Sequence, residues 1–195
     1  LNDGGTTGTA RVTALTWAKN NTHLIGLCAP TMVGKRARIS PPSSDAADVD
    51  AYTPYITLSA TGCVMANFSI FQGQTEDGKS SVGILLSGNR NYLYNIDVQT
   101  GAHANQGDES TYCLQVTGDE NTIERCLFGA DTVAWTGDTG KVPAPIRLGA
   151  GAADEVQRNV FRDCICQVNA DNARVVFVLV DGITDVHLWN YFKVC

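Results

Sequence analysis

Apolar residues recur along the chain in a fixed spacing. With one apolar position taken as zero, an apolar pair stands nine and seven residues before it, and further apolar residues stand three and five after it. The zero positions are Leu24, Met65, Leu93, Ile123, Val156 and Val186. The leading pairs are Leu15 and Trp17, Ile56 and Leu58, Ile84 and Leu86, Leu114 and Val116, and Phe177 and Leu179. In the fifth copy Arg147 and Gly149 fall at those places, and Ile146 and Leu148 take them if one residue is inserted near Gly149 to Gly151. The trailing positions hold Leu27 and Ala29, Phe68 and Ile70, Ile96 and Val98, Cys126 and Phe128, Asn159 and Phe161, and Trp189 and Tyr191.

Residues two apart lie on one face of a strand. Each copy therefore predicts a strand, a turn and a second strand. Gly62, Gly88, Gly118, Gly151 and Gly182 fall in the turns, where the backbone adopts conformations that a side chain disfavours. Asn67 and Asn95 share the position two after zero. Asparagine tolerates the left-handed conformation and stacks in ladders.

Successive zero positions are 41, 28, 30, 33 and 30 residues apart. A strand–turn–strand unit of that size cannot bury its apolar face alone, whereas stacked units can. No 3.6-residue stripe recurs between the pairs, so helical and leucine-rich repeats are set aside. Most copies are also shorter than the roughly 40 residues of a propeller blade. The predicted fold class is all-β: a single-stranded right-handed parallel β-helix of about six rungs, roughly 29 Å tall at about 4.8 Å per rung. Ala10 to Lys19 also suits a capping helix, but Leu15 and Trp17 fall in the strand columns, which favours a strand. The columns continue to Tyr191, so 1–195 reads as one domain with 1–11 as a flexible lead-in. The connections, near 31–55, 72–82, 99–112, 129–145 and 162–174, are the places where a rigid scaffold presents function.

Composition narrows the function classes. Hydrophobic residues make up 44% of the 195 and charged residues 17%, which suits a packed core. The net charge is −6 and the fourteen Lys and Arg are scattered, which argues against a nucleic-acid partner. No run of about 18 apolar residues is present, so no membrane-spanning helix is predicted. The chain opens on Leu1 without a signal peptide, as expected of a processed piece of something longer, and an adjoining segment or partner is expected beyond Cys195.

The seven cysteines, Cys28, Cys63, Cys113, Cys126, Cys164, Cys166 and Cys195, are odd in number and widely spaced. They read as small core hydrophobes of a chain made in a reducing cytosol, with no disulfide among them. Cys164 and Cys166 are too close for a zinc knuckle.

Catalysis on such a scaffold calls for acids on neighbouring rungs. Glu155 and Asp185 both stand one before zero, which would stack them about 5 Å apart, near the separation of a retaining glycosidase pair. The same carboxylates suit calcium. Asp181, near a turn, is the third candidate. Position minus one faces outward, so the expectation is an ordinary solvated surface with no catalytic residue, no cofactor and no metal. Arg125 and Arg158 share a column, and Asp163 or Glu124 is their expected carboxylate. His23, His103 and His187 lack metal-ligand spacing. No phosphate loop, dinucleotide fingerprint, nucleophile elbow or zinc-protease helix motif occurs.

Asn21-Thr22-His23-Leu24-Ile25-Gly26-Leu27, followed by Arg36-Ala37-Arg38-Ile39, is a strand ending in Ile-Gly-Leu, then a loop, then Arg-x-x-Ile. This resembles a group of phage structural proteins with right-handed β-helices, and Ala66-Asn67-Phe68-Ser69-Ile70-Phe71 resembles the rung that follows in them. The resemblance covers roughly residues 12–130, marks rungs rather than active sites and carries over no catalytic residue. It implies a virion component made in the host cytoplasm: a capsid decoration protein, a head fibre or a tail appendage. Viral capsid or tail proteins are then the partners, and a homo-oligomer is expected. Two alternatives belong to other classes. A tailspike-like polysaccharide depolymerase needs several acids converging in a groove, and a receptor-binding adhesin needs exposed aromatics such as Trp135 in a loop cleft.

Overall fold

The computed structural model describes residues 9–11, 14–27, 37–40, 53–72, 81–101, 110–135, 140–150, 155–171, 175–180 and 190–193. In chain order the strands are β1 (Thr9–Arg11), β2 (Leu15–Trp17), β3 (His23–Ile25), β4 (Arg38–Ser40), β5 (Ile56–Leu58), β6 (Val64–Phe71), β7 (Val82–Leu86) and β8 (Tyr92–Gln99). They continue as β9 (Tyr112–Val116), β10 (Thr122–Glu124), β11 (Leu127–Trp135), β12 (Ala144–Leu148), β13 (Val160–Arg162), β14 (Ile165–Ala170), β15 (Val178–Val180) and β16 (Tyr191–Lys193).

Two parallel sheets face each other. One has the order β15-β12-β9-β7-β5-β2, and the other follows β1-β4-β6-β8-β10-β13-β16 with β3, β11 and β14 joined at its flanks. Together they form an all-β parallel β-solenoid of about three turns. Strands at the expected connections, β4, β11 and β14, extend the second sheet, and the last residues of the expected lead-in form β1 against β4.

The leading pairs and zero positions of the first four copies lie in the predicted register, but the trailing column of the first copy is filled by Ile39, which pairs with Ile70, while the predicted Leu27 is exposed and Ala29 lies outside the described residues. Leu24 pairs with Met65, Met65 with Leu93 and Leu93 with Ile123. Met65, Leu93 and Ile123 are fully buried, and Leu24 is half-buried at the end of the stack. On the facing sheet Leu15, Ile56, Ile84, Leu114 and Ile146 form one column, so Ile146 leads the fifth copy, but its stacked core residue Phe161 follows fifteen positions later instead of nine, an insertion of six residues where one was expected.

The fifth and sixth copies depart from their expected register. Ile123 pairs with Phe161, not Val156, and Phe161 pairs with Phe192. Val156 is buried, but in the turn before β13. Val186 lies outside the described residues. The trailing column after Phe128 holds Cys166, so Phe161 and Asn159 leave the trailing positions. The last leading pair is Val178 and Val180, one residue away from the predicted Phe177 and Leu179.

The turn explains the true register. Asn91, Asn121, Asn159 and Asn190 each stand two before a paired core position, and the first three are buried. Each Oδ1 accepts the backbone N–H of the residue stacked on the preceding rung: Cys63, Asn91, Asn121 and Asn159, at 2.8, 2.8, 2.9 and 2.9 Å. Each Nδ2 donates to a carbonyl of the preceding turn: Ala60, Gly88, Gly118 and Val156. A buried bend would otherwise strand these groups. Gly88 and Gly118 complete the turn, because a Cβ there would collide with the carbonyl oxygens of Ala60 and Gly88.

Candidate functional site

The polar chemistry of the molecule lies on the outer face of the second sheet. Strand alternation aims Tyr92 and Tyr94 of β8, Glu124 of β10 and Arg162 of β13 away from the core. The Glu124 carboxylate accepts the Tyr92 hydroxyl at 3.0 Å and Arg162 Nη2 at 2.8 Å. Burial and the Glu124 bond push the Tyr92 phenol up. Arg125, at the bend after β10 with φ 53°, donates Nη1 to the Tyr94 hydroxyl at 3.2 Å, which raises its own affinity for protons.

At the other bend, Arg90, Glu120 and Arg158 stack with positive φ on successive rungs. Glu120 accepts Arg90 Nε at 2.6 Å and Arg158 Nε at 3.0 Å. The Arg90 bond first, and the Arg158 bond after it, hold its carboxyl below the usual range. An acid held ionised is a poor proton donor.

Of the candidate acids, only Glu155 lies among the described residues. Glu155 is exposed and accepts Gln157 Nε2 at 3.3 Å in the turn before β13. The position one before Phe161, stacked on Thr122, belongs to Val160. Asp185 and Asp181 lie outside the described residues. Arg125 and Arg158 occupy two different columns, since the residue stacked at the Arg125 position is Asp163, and Arg158 finds Glu120 as its carboxylate. His23 Nδ1 accepts the Val64 N–H at 3.1 Å, a structural bond, while His103 and His187 lie outside the described residues. Trp135 is fully buried at the end of β11, with Nε1 donating to the Gly101 carbonyl, so it is not an exposed cleft aromatic. Asn67 and Asn95 adopt the predicted left-handed conformation, φ 60° and 52°, and Asn95 Nδ2 donates to Asn67 Oδ1 at 2.9 Å.

Two features went unseen in the sequence. Asp97 lies between the interior residues Ile96 and Val98, yet is only 4% exposed. Burial pushes its carboxyl up to about 7, against the opposing pull of Gln99 Nε2 at 3.1 Å and the charge of Arg38. The Arg38 guanidinium itself lies over the Phe71 ring, 4.8 Å from its centroid. Asp97 therefore exchanges a proton near neutrality, with Gln99 and Arg38 favouring its charged form. The outer face of the first sheet carries a cavity of about 420 Å³ where Arg147 lies over the Tyr112 ring, 4.9 Å from its centroid. Among the described residues no three His, Cys, Asp or Glu side chains are grouped to hold a metal ion.

Fold and faces together define a parallel β-solenoid with an apolar interior and a cross-linked polar exterior. The chain matches no family model, and comparison with the curated proteins and with the solved structures returned no match.

Proposed function

We propose that the chain is a non-enzymatic structural protein of a bacteriophage virion, seated on the capsid surface, where it decorates and stabilises the shell. In this reading the solenoid is a right-handed parallel β-helix of about six rungs. It acts as a homo-oligomer, with capsid or tail proteins as partners. The resemblance of its first rungs to phage structural proteins motivates the reading.

The observation that carries it is how the outer polar groups are used. Glu120 ties Arg90 to Arg158, and Glu124 ties Tyr92 to Arg162, so each carboxylate joins three rungs. That arrangement stiffens a scaffold and leaves Glu120 poorly suited to donating a proton.

Quantitative mass spectrometry of purified particles, with immunogold labelling, tests the location. The expected result is a fixed copy number per shell, with gold on the icosahedral head. Absence from the particle overturns the reading, and label confined to the tail overturns the capsid assignment. A depolymerase assay on host capsule and lipopolysaccharide tests the other half. No cleavage is expected, and an activity that Glu155→Gln or Asp185→Asn abolishes would replace the scaffold with an enzyme.

A further inference from the structure

The register of β11 on β14 pairs Leu127 with Ile165 and Phe128 with Cys166. One residue earlier, Cys126 and Cys164 face each other on neighbouring rungs. Neighbouring strands lie about 4.8 Å apart, within the Cα separation of roughly 4.4–6.8 Å that a disulfide requires. The Ile165 N–H donates to the Cys126 carbonyl at 2.9 Å, which fixes the two cysteines on adjacent rungs. The Cys164 sulfur also reaches across the rung to the Ile123 carbonyl at 3.6 Å, and Cys126 Sγ donates to the Glu124 carbonyl at 3.4 Å. Both are reduced in this structure.

The pair has an entrance and a direction. Cys126 is buried, whereas the half-buried Cys164 lines a cavity of about 350 Å³ with Cys166, Phe161, Phe177, Phe192 and Lys193. The neighbouring Cys126 holds the Cys164 thiol below its ordinary value, and burial holds Cys126 well above it. Burial also pushes Cys166 up to about 11 and Cys113 up to about 12. Of these four thiols, Cys164 is the one that most readily forms the attacking thiolate.

We propose that Cys164 and Cys126 form a redox modification site, in which Cys164 captures a low-molecular-weight disulfide such as oxidised glutathione and Cys126 resolves the adduct into a cross-rung disulfide. In the first step the Cys164 thiolate bonds to one sulfur of the oxidant, the oxidant's S–S bond breaks and one thiolate leaves. In the second, Cys126 bonds to Cys164 Sγ, its proton passes to solvent and the second thiolate leaves. The protein loses two electrons and two protons, and the oxidant becomes two thiols. Lys193 offers a positive charge at the cavity to an anionic oxidant such as glutathione. The site stands independently of the virion reading.

The full chain, purified in reductant and desalted, is incubated with oxidised glutathione. Free thiols are then alkylated and the chain is mapped by peptide mass spectrometry. The expected product is a peptide pair joining Cys126 to Cys164, formed about tenfold faster than any other cysteine reacts. Cys126→Ser should stop at one glutathione held on Cys164, Cys164→Ser should give neither product, and Cys166→Ser should behave as the parent. No reaction in the parent chain, a disulfide joining other cysteines, or glutathione spread evenly over the thiols would each overturn the proposal. The parent map decides the matter even where a variant fails to fold.

Discussion

Asn121 bonds to both neighbouring rungs. Its Oδ1 takes the Asn91 N–H, its Nδ2 donates to the Gly88 carbonyl, and its own N–H donates to Asn159 Oδ1. Asn121→Ala strands a buried donor and a buried acceptor, each costing about 1–3 kcal/mol. A loss of about 3 kcal/mol is expected, read as a fall in the urea midpoint at unchanged slope. Glu120→Gln, one residue away, removes two ion pairs from the exposed bend and should leave the urea midpoint almost unchanged. Asp97 responds to pH in the sense opposite to an ion-paired carboxylate. Its folded value, about 7, lies above its unfolded value near 4, so the folded state binds the extra proton between them. Stability should fall as pH rises from 4 to 7 and level off above. Asp97→Asn should therefore be the more stable protein at pH 8, with the advantage gone below pH 4. Thermal melts across that range check it, and a variant less stable than the parent at pH 8 would refute it. The burial of Asp97 was not legible in the sequence, because strand alternation puts its position on the outside and says nothing of what covers it.

At the scale of the strand pair, the apolar spacing was enough for the second, third and fourth copies, missed the trailing strand of the first and misled for the last two. Val156 is apolar, buried and 33 residues after Ile123, so it passed every test that hydrophobicity can set. The better marker was polar. Asn91-Tyr92-Leu93, Asn121-Thr122-Ile123, Asn159-Val160-Phe161 and Asn190-Tyr191-Phe192 share an asparagine two before the core residue. A turn that must satisfy its buried backbone constrains residue type more tightly than a core that accepts any apolar side chain of suitable size. The same shift explains the site. Arg125 and Arg158 were visible as paired cations, but the error of five residues put them in one column and hid Glu120 between Arg90 and Arg158. Phe161 and Phe192 stack at 4.4 Å with their planes 6° apart. Phe161 is 2% exposed and Phe192 39%. Phe161→Ala should cost about 4 kcal/mol and Phe192→Ala about 1 kcal/mol in denaturant unfolding. Equal losses would mean that Phe161 is not the core residue of its turn.

For the whole molecule, stacked units of this kind hold together mainly through nearest neighbours. Met65, Leu93 and Ile123 are fully buried in the middle, while Leu27 is fully exposed at one end and Tyr191 half-exposed at the other. Hydrogen exchange followed by mass spectrometry should find the slowest amides in β7, β8 and β9 and the fastest in β3 and β16. Uniform protection along the stack would instead mark a single cooperative unit. The Asn ladder has one more consequence. Each asparagine makes the same two bonds to the rung before it, and Asn91, Asn121 and Asn159 each donate their backbone N–H to the rung after. Residues 92–121 copied in tandem would repeat the asparagine turn, with the donors and acceptors of the ladder matched on both sides. The molecule would lengthen by about 4.8 Å and its two ends would stay as they are. Such a chain is a ruler graduated in whole turns, and its length can be reset by copying a segment without redesigning a fold.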